Sequence, residues 1–154
     1  MKALNAMAVE ARHESGYPEP FCSRVLPREK RALGDAFGLT SIGVNLTVLH
    51  AGVESSMRHW HDREDELIYV LDGEVVLRTD AGEEVLVAGM FAGFKAGDEN
   101  AHQLVNRSER PATYLEISNR DAEDTVYYTD PDVDLIASPP HARGKMTRKD
   151  GTPY

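Results

Sequence analysis

Two histidines and four acids fall between positions 59 and 66, in the stretch RHWHDREDE. On an extended chain, residues i and i+2 point the same way, under ~7 Å apart. His59 and His61 can therefore turn both imidazoles to one point. Neutral imidazole is the commonest metal-ligating side chain. A divalent ion needs three or four donors, and a carboxylate shortly downstream is a natural third. Taken alone, the same residues also describe a charged turn in water. Asp62, which abuts the histidines, is read as a solvated turn residue.

Strand alternation sorts the remaining acids only partly. Glu64 and Glu66 share a face with Ile68 and Val70, while Asp65 shares one with Leu67, Tyr69 and Leu71. Both faces are apolar, so alternation leaves open which is inward. A strand buried on both faces is central or lies in a subunit interface. Arg58, beside the histidines, either holds a substrate anion in a two-pronged grip or makes a surface ion pair. His50 has the parity of Val44, Leu46 and Val48 and is read as lining the barrel or its rim. His13 and His141 lie in irregular arms and are expected in solvent, as is Lys95. Trp60 is expected to pack.

The elements that position these groups are short strands. Between 41 and 119 the runs IGVNLTVLH, ELIYVL, EVVLRT, EEVLVA, MFAGFKA, AHQLVN and PATYLEIS are divided by turn signals at Asp72-Gly73, Asp80-Ala81-Gly82, Gly89 and Gly97-Asp98. Strands with glycine-rich turns every 8–12 residues predict an antiparallel sandwich or barrel. Residues 1–40 read as an arm broken by Pro18, Pro20 and Pro27. Within it, REKRALGDAFGL predicts one short helical turn, limited by Gly34 and Gly38. Residues 120–154 read as an extension over the barrel. An acidic block (Asp121, Glu123, Asp124, Asp130, Asp132, Asp134) precedes a basic one (Arg143, Lys145, Arg148, Lys149), with contact between the blocks one alternative to solvation.

Composition narrows the function. The 154 residues suit one domain with a sizeable core. A net charge of -9 repels phosphate backbones, so neither nucleic acid nor anionic membrane is expected as a partner. The single cysteine, Cys22, permits no intramolecular disulfide and fits a reducing compartment. No apolar h-region or spanning run is found. A cytoplasmic location is expected.

The wider spacing carries a family likeness. His59-x-His61-x4-Glu66-x6-Gly73 resembles the first motif of the cupin superfamily, and Gly97, His102 and Asn106 resemble its second. Lys95 stands where the second motif has proline, and the turns before His59 and His102 are longer than usual. These differences fall in turns, where extra residues cost little. LGDAFGLTSIGVNLT, RHWHDREDELIYVLDGE, AHQLVNRSERPATYLEI and RKDGTPY are further similar to small bacterial single-domain cupins, some of them described as sugar-phosphate-isomerase-like.

The resemblance implies an all-β, double-stranded β-helix (jelly-roll) barrel over 41–119, with the irregular arm 1–40 packing on the barrel or a partner subunit. It implies His59, His61, Glu66 and His102 as ligands of one divalent ion per subunit. Softness admits Zn, Mn, Fe, Co or Ni. It also implies a homodimer acting on a small molecule, with Leu67, Tyr69 and Leu71 as candidates to face the partner. Isomerase, epimerase or lyase chemistry on a hydroxy-carbonyl or sugar acid follows, with Glu64 or Tyr69 moving the proton. Arg58, His50 and Asn106 are the candidate substrate contacts. For Glu64 the alternative is plain exposure. A non-haem metal dioxygenase and a non-catalytic sensor remain as alternative functions.

Overall fold

Alternation with glycine punctuation produces strands that pair only with antiparallel neighbours. The computed structural model describes residues 2–138 and 146–154. Its strands are β1 (Arg28–Ala32), β2 (Ile42–Leu49), β3 (His59–His61), β4 (Glu66–Asp72), β5 (Glu74–Thr79), β6 (Gly82–Val87), β7 (Phe91–Phe94), β8 (Gln103–Val105), β9 (Ala112–Asn119), β10 (Val126–Tyr128), β11 (Ile136–Ala137) and β12 (Met146–Thr147). A short helix, α1 (Phe21–Arg24), carries the free, half-buried Cys22. No helix among the described residues is long and apolar enough to cross a membrane.

The strands form an all-β jelly-roll barrel. One sheet has the order β1-β2-β9-β4-β7, and β6-β5-β8 lies across from it. A third, β12-β11-β10-β3, joins the β8 side through the bridge His59↔His102, and Glu54, in the loop before β3, bridges to Val105. β2 runs its full length against β9, from Ile42↔Asn119 to Leu49↔Ala112. Gly73, at φ +75°, turns β4 into β5 where Asp72-Gly73 predicts a turn.

The core decides which face of β4 is inward. Ile68 and Val70 are buried together with Leu49, Val75, Leu77, Leu104 and Tyr114. Burying each such aliphatic side chain is worth about 1.5–3 kcal/mol. Glu66 shares their parity and so turns into the barrel, while Leu67, Tyr69 and Leu71 are exposed on the outside. On β2 the inward residues are Thr47 and Leu49. Val44, Leu46 and Val48 take the opposite face, which corrects the expectation that His50, of their parity, lines the barrel.

Two segments differ from expectation. REKRA is the edge strand β1 rather than a helical turn, with pairs from Arg28↔Leu49 to Ala32↔Asn45. A 3-10 turn follows only at Asp35–Phe37. In the extension, β10 pairs with β3 through Val126↔His61, Tyr127↔Trp60 and Tyr128↔His59. A second small core of Phe21, Val25, Met57, Val126, Tyr128, Val133 and Leu135 joins arm and extension. The acidic block pairs mainly with the barrel and arm: Asp124 with His61, Asp130 with Arg58 and Asp132 with Arg24. From the basic block, the backbone N–H of Lys149 donates to Asp134 at 2.9 Å. His141, Arg143 and Lys145 lie outside the described residues.

Candidate metal centre

β3, β4 and the start of β8 bring four side chains to one end of the cavity. His59 and His61 project from β3, Glu66 opens β4, and His102 faces His59 across an antiparallel bridge. The Nε2 atoms of His59, His61 and His102 lie 3.8, 3.5 and 2.8 Å from Oε2 of Glu66. Ligand atoms of His59, His61 and Glu66 all fall within 4.8 Å of one another. The His102 ring stacks on Phe94, with centroids 3.5 Å apart.

Hydrogen bonding on the far side of two rings fixes what they present. Nδ1 of His59 donates to the Met57 carbonyl at 2.8 Å, and Nδ1 of His61 donates to Asp124 at 2.6 Å. Both Nε2 atoms then carry lone pairs aimed toward Glu66. Glu66 Oε2 is itself buried and has no well-directed hydrogen-bond donor, even with His102 at 2.8 Å. Lone pairs meeting a buried carboxylate oxygen without a proton between them repel unless a cation lies among them. Three imidazoles and a carboxylate are the donor set that zinc and its first-row neighbours take. The residues fit a divalent ion.

The electrostatics match that fit. Burial, helped by the neighbouring His102, pushes His59 down to about 3, so it is neutral near pH 7. Burial opposes charge on His61 too, but the Asp124 hydrogen bond and the carboxylate of Glu66 outweigh it and raise its pKa. Burial works against the Glu66 carboxylate, yet His102 and the other two imidazoles hold its pKa well below the usual range.

Asp124 is a residue beside the ligands that sequence reading missed. It is 0% exposed and accepts from His61 Nδ1 and from the backbone N–H groups of Arg63 (2.9 Å) and Glu64 (3.2 Å). Its only signal was a place in an acidic block that otherwise reads as solvated. Asp62 is tied into the same strand pair, accepting from the Thr125 N–H at 2.7 Å.

Other sequence candidates separate from the centre. Glu64 is 8% exposed rather than open to solvent, and accepts from the Asp121 N–H at 2.9 Å. It lies beside the centre, grouped with His61 and Asp124. Tyr69 is on the outer face, 38% exposed and stacked on Phe91, because strand alternation turns it away from Glu66. Arg58 is held by Asp130 at 2.7 Å and by Asp80, and does not line the cavity. His50 faces Glu29 at 3.5 Å. Asn106 is fully buried as a loop staple: its Nδ2 donates to the carbonyls of Leu49 (2.8 Å) and Arg110 (2.7 Å), and its Oδ1 accepts from Ser108. Trp60 packs on Tyr127, while Lys95 and His13 are exposed.

The centre opens into a cavity of about 290 Å3. Besides the four candidate ligands, its wall includes Arg28 and Lys30 of β1, Tyr114 and Glu116 of β9, Tyr17 of the arm and Tyr128 of β10. Burial pushes the Tyr17 and Tyr128 phenols up, so both keep their protons at neutral pH. Sequence reading had placed none of these six at a site.

Comparison with known proteins agrees with the fold. The family model described as Cupin domain matches residues 45–118. A sugar phosphate isomerase from a cupin superfamily, of Silicibacter pomeroyi DSS-3, is 40% identical over 99% of this chain and 96% of its own, with a TM-score of 0.92. A candidate sugar phosphate isomerase from Acidithiobacillus ferrooxidans ATCC 23270 is 28% identical over 80% of this chain and 77% of its own, with a TM-score of 0.71. A polyketide cyclase from Streptomyces resistomycificus, 19% identical over 79% of this chain and 80% of its own, shares the fold, at a TM-score of 0.64. No curated protein matches the chain.

Proposed function

Because the chain belongs to the cupin superfamily, we propose that it is a metal-dependent enzyme of isomerase, epimerase or lyase type, acting on a small hydroxy-carbonyl or sugar acid. The observation that carries this reading is the meeting of imidazole lone pairs with the orphaned Oε2 of Glu66 at one end of the cavity. His59, His61, Glu66 and His102 would hold one divalent ion. When bound, such an ion supplies Lewis-acid polarisation of a carbonyl oxygen.

The chain's own groups do the rest. Phe94 and Ile68 supply apolar wall that excludes water beside the histidines. Glu116 is the cavity carboxylate beyond the ligand set, and Tyr17 and Tyr128 are the protonated hydroxyls facing it. Moving a proton between adjacent carbons needs a base and a donor within hydrogen-bond reach. Glu116 takes the first role and the phenols the second. Tyr69 has neither role, since it lies on the outside. Glu64 lies behind His61 and steadies the loop to Asp121.

The test is direct. Native protein purified without chelators is analysed for metal, then incubated with a panel of aldose and ketose phosphates and hydroxy acids followed by NMR. About one divalent ion per chain and interconversion of one compound class support the reading. Metal retained at full stoichiometry by His102→Ala, or a metal-loaded protein inert toward the whole panel, would sink it.

The same reading includes a homodimer in the cytoplasm. The support is an outer sheet face bearing Leu67, Tyr69, Leu71 and Phe91, exposed together, and a single unpaired cysteine.

A further inference from the structure

The cavity's charged side chains are unevenly paired. Among the described residues four line it: Arg28, Lys30, Glu66 and Glu116. Lys30 Nζ meets Glu116 Oε2 at 2.5 Å, and Glu66 belongs to the metal centre. Arg28 is left with the neutral Ser55 carbonyl as its hydrogen-bond acceptor and, among the described residues, with no carboxylate in ion-pair contact. The four charges sum to zero, so a divalent ion on Glu66 would leave the cavity at about +2, inside a chain whose net charge is -9.

A second, independent observation lies in the same cavity. Tyr114 lines the cavity, and its fully buried hydroxyl makes no well-directed hydrogen bond, although Thr47 and Glu116 are its neighbours. A buried donor with no well-directed partner is unusual, and a ligand atom would supply one. The charge of Arg28 reaches this hydroxyl. Strand register gives the spacing: Tyr114 pairs with Val70, whereas Ser118 pairs with Glu66. The two rows are four residues apart, about 13 Å of strand. Tyr17 lines the same cavity.

We propose that Arg28 and Tyr114 form an anion subsite that anchors the acidic group, a carboxylate or a phosphate, of a small substrate whose hydroxy-carbonyl end lies at the histidines. This rests on the metal-enzyme reading above and names what that reading leaves open, the substrate's charge and its orientation. A planar guanidinium suits both anions, since its N–H groups pair with two oxygens at once. The volume of about 290 Å3 is at the small end of ligand cavities, which admits a compound of a few carbons and no polymer or nucleotide.

Calorimetric titration of the metal-loaded protein tests it, with three probes: inorganic phosphate, lactate and 1,2-propanediol, which has lactate's skeleton without the carboxylate. We expect at least one anion to bind and the diol not to. Arg28→Met should weaken anion binding by about tenfold or more with metal content unchanged, Arg28→Lys should restore part of it, and Tyr114→Phe should cost a few-fold. A preference for lactate identifies a carboxylate anchor, and a preference for phosphate the other.

The proposal is overturned if neither anion binds the wild type, or if affinity is the same in wild type, Arg28→Met and Tyr114→Phe, which means that the ion alone holds the anion. Should Arg28→Met fail to fold, Tyr114→Phe, which deletes one hydroxyl, decides the matter. The phosphate titration is repeated on chelator-treated protein. Arg28-dependent binding in a chain that takes up no metal leaves the subsite standing and removes the metal reading. Metal uptake with Arg28-independent binding does the reverse.

Discussion

His61 is gripped on both sides of its ring, by Asp124 at Nδ1 and by the direction of Glu66 at Nε2. Partners behind a metal-ligating histidine fix its tautomer and raise its basicity, and losing them costs about 10–100-fold in metal affinity. Asp124→Asn should show that loss in a competition titration. It should also move the pH profile, because metal and proton compete for the imidazole. In the wild type His61 has a raised pKa, so binding weakens as the pH falls through that raised value, whereas His59, pushed down to about 3, imposes no limit there. Without the carboxylate, burial acts unopposed by that hydrogen bond and lowers the pKa of His61. The acid limb should therefore shift to lower pH even as the plateau affinity drops. An unchanged acid limb would show that Asp124 does not set the proton affinity of His61. Legibility at this scale follows locality. Glu66 stands at the count from His61 and Gly73 that the cupin motif has, so the resemblance marks it. Asp124 lies 63 positions from its partner, in a block of similar acids, and no count links the two.

At the scale of elements, the central strands are legible because apolar alternation and turn chemistry agree. Gly73 shows how closely that agreement is enforced. It sits at φ +75°, and a Cβ there would meet Ala112 Cα and the Pro111 carbonyl at 3.0 Å. Gly73→Ala should lower stability by about 2 kcal/mol or more, read as a shift in the urea midpoint, from the left-handed backbone and the backbone clash together. β1 was not legible, for a physical reason. Its inward residues, Arg28 and Lys30, face a polar cavity, so a strand that helps build the site has the composition of a solvated surface. β10 escaped notice in the same way: three residues are too few for a period, and its value lies in pairing across β3.

At the scale of the whole molecule, the outer face of the five-stranded sheet bears Leu67, Tyr69, Leu71 and Phe91, the last 65% exposed. Apolar side chains gathered on one sheet face are what a subunit interface covers. The wild type should run as a dimer in light scattering, and the double variant Tyr69→Asp/Phe91→Asp as a monomer with its metal content retained. A monomeric wild type would remove the dimer. The chain carries a net charge of -9, while the charges of the described cavity-wall residues cancel.

The strand pair β3–β10 has one more consequence. Asp124, Val126 and Tyr128 belong to the C-terminal extension, yet each touches or lines the centre. Whatever occupies the centre must therefore also steady the tail, by thermodynamic linkage. Amide exchange at Val126 and Tyr128 should slow on metal addition, while exchange in β6, remote from the histidines, should not change. The C-terminus would then act as a reporter, readable by mass spectrometry before any substrate is known.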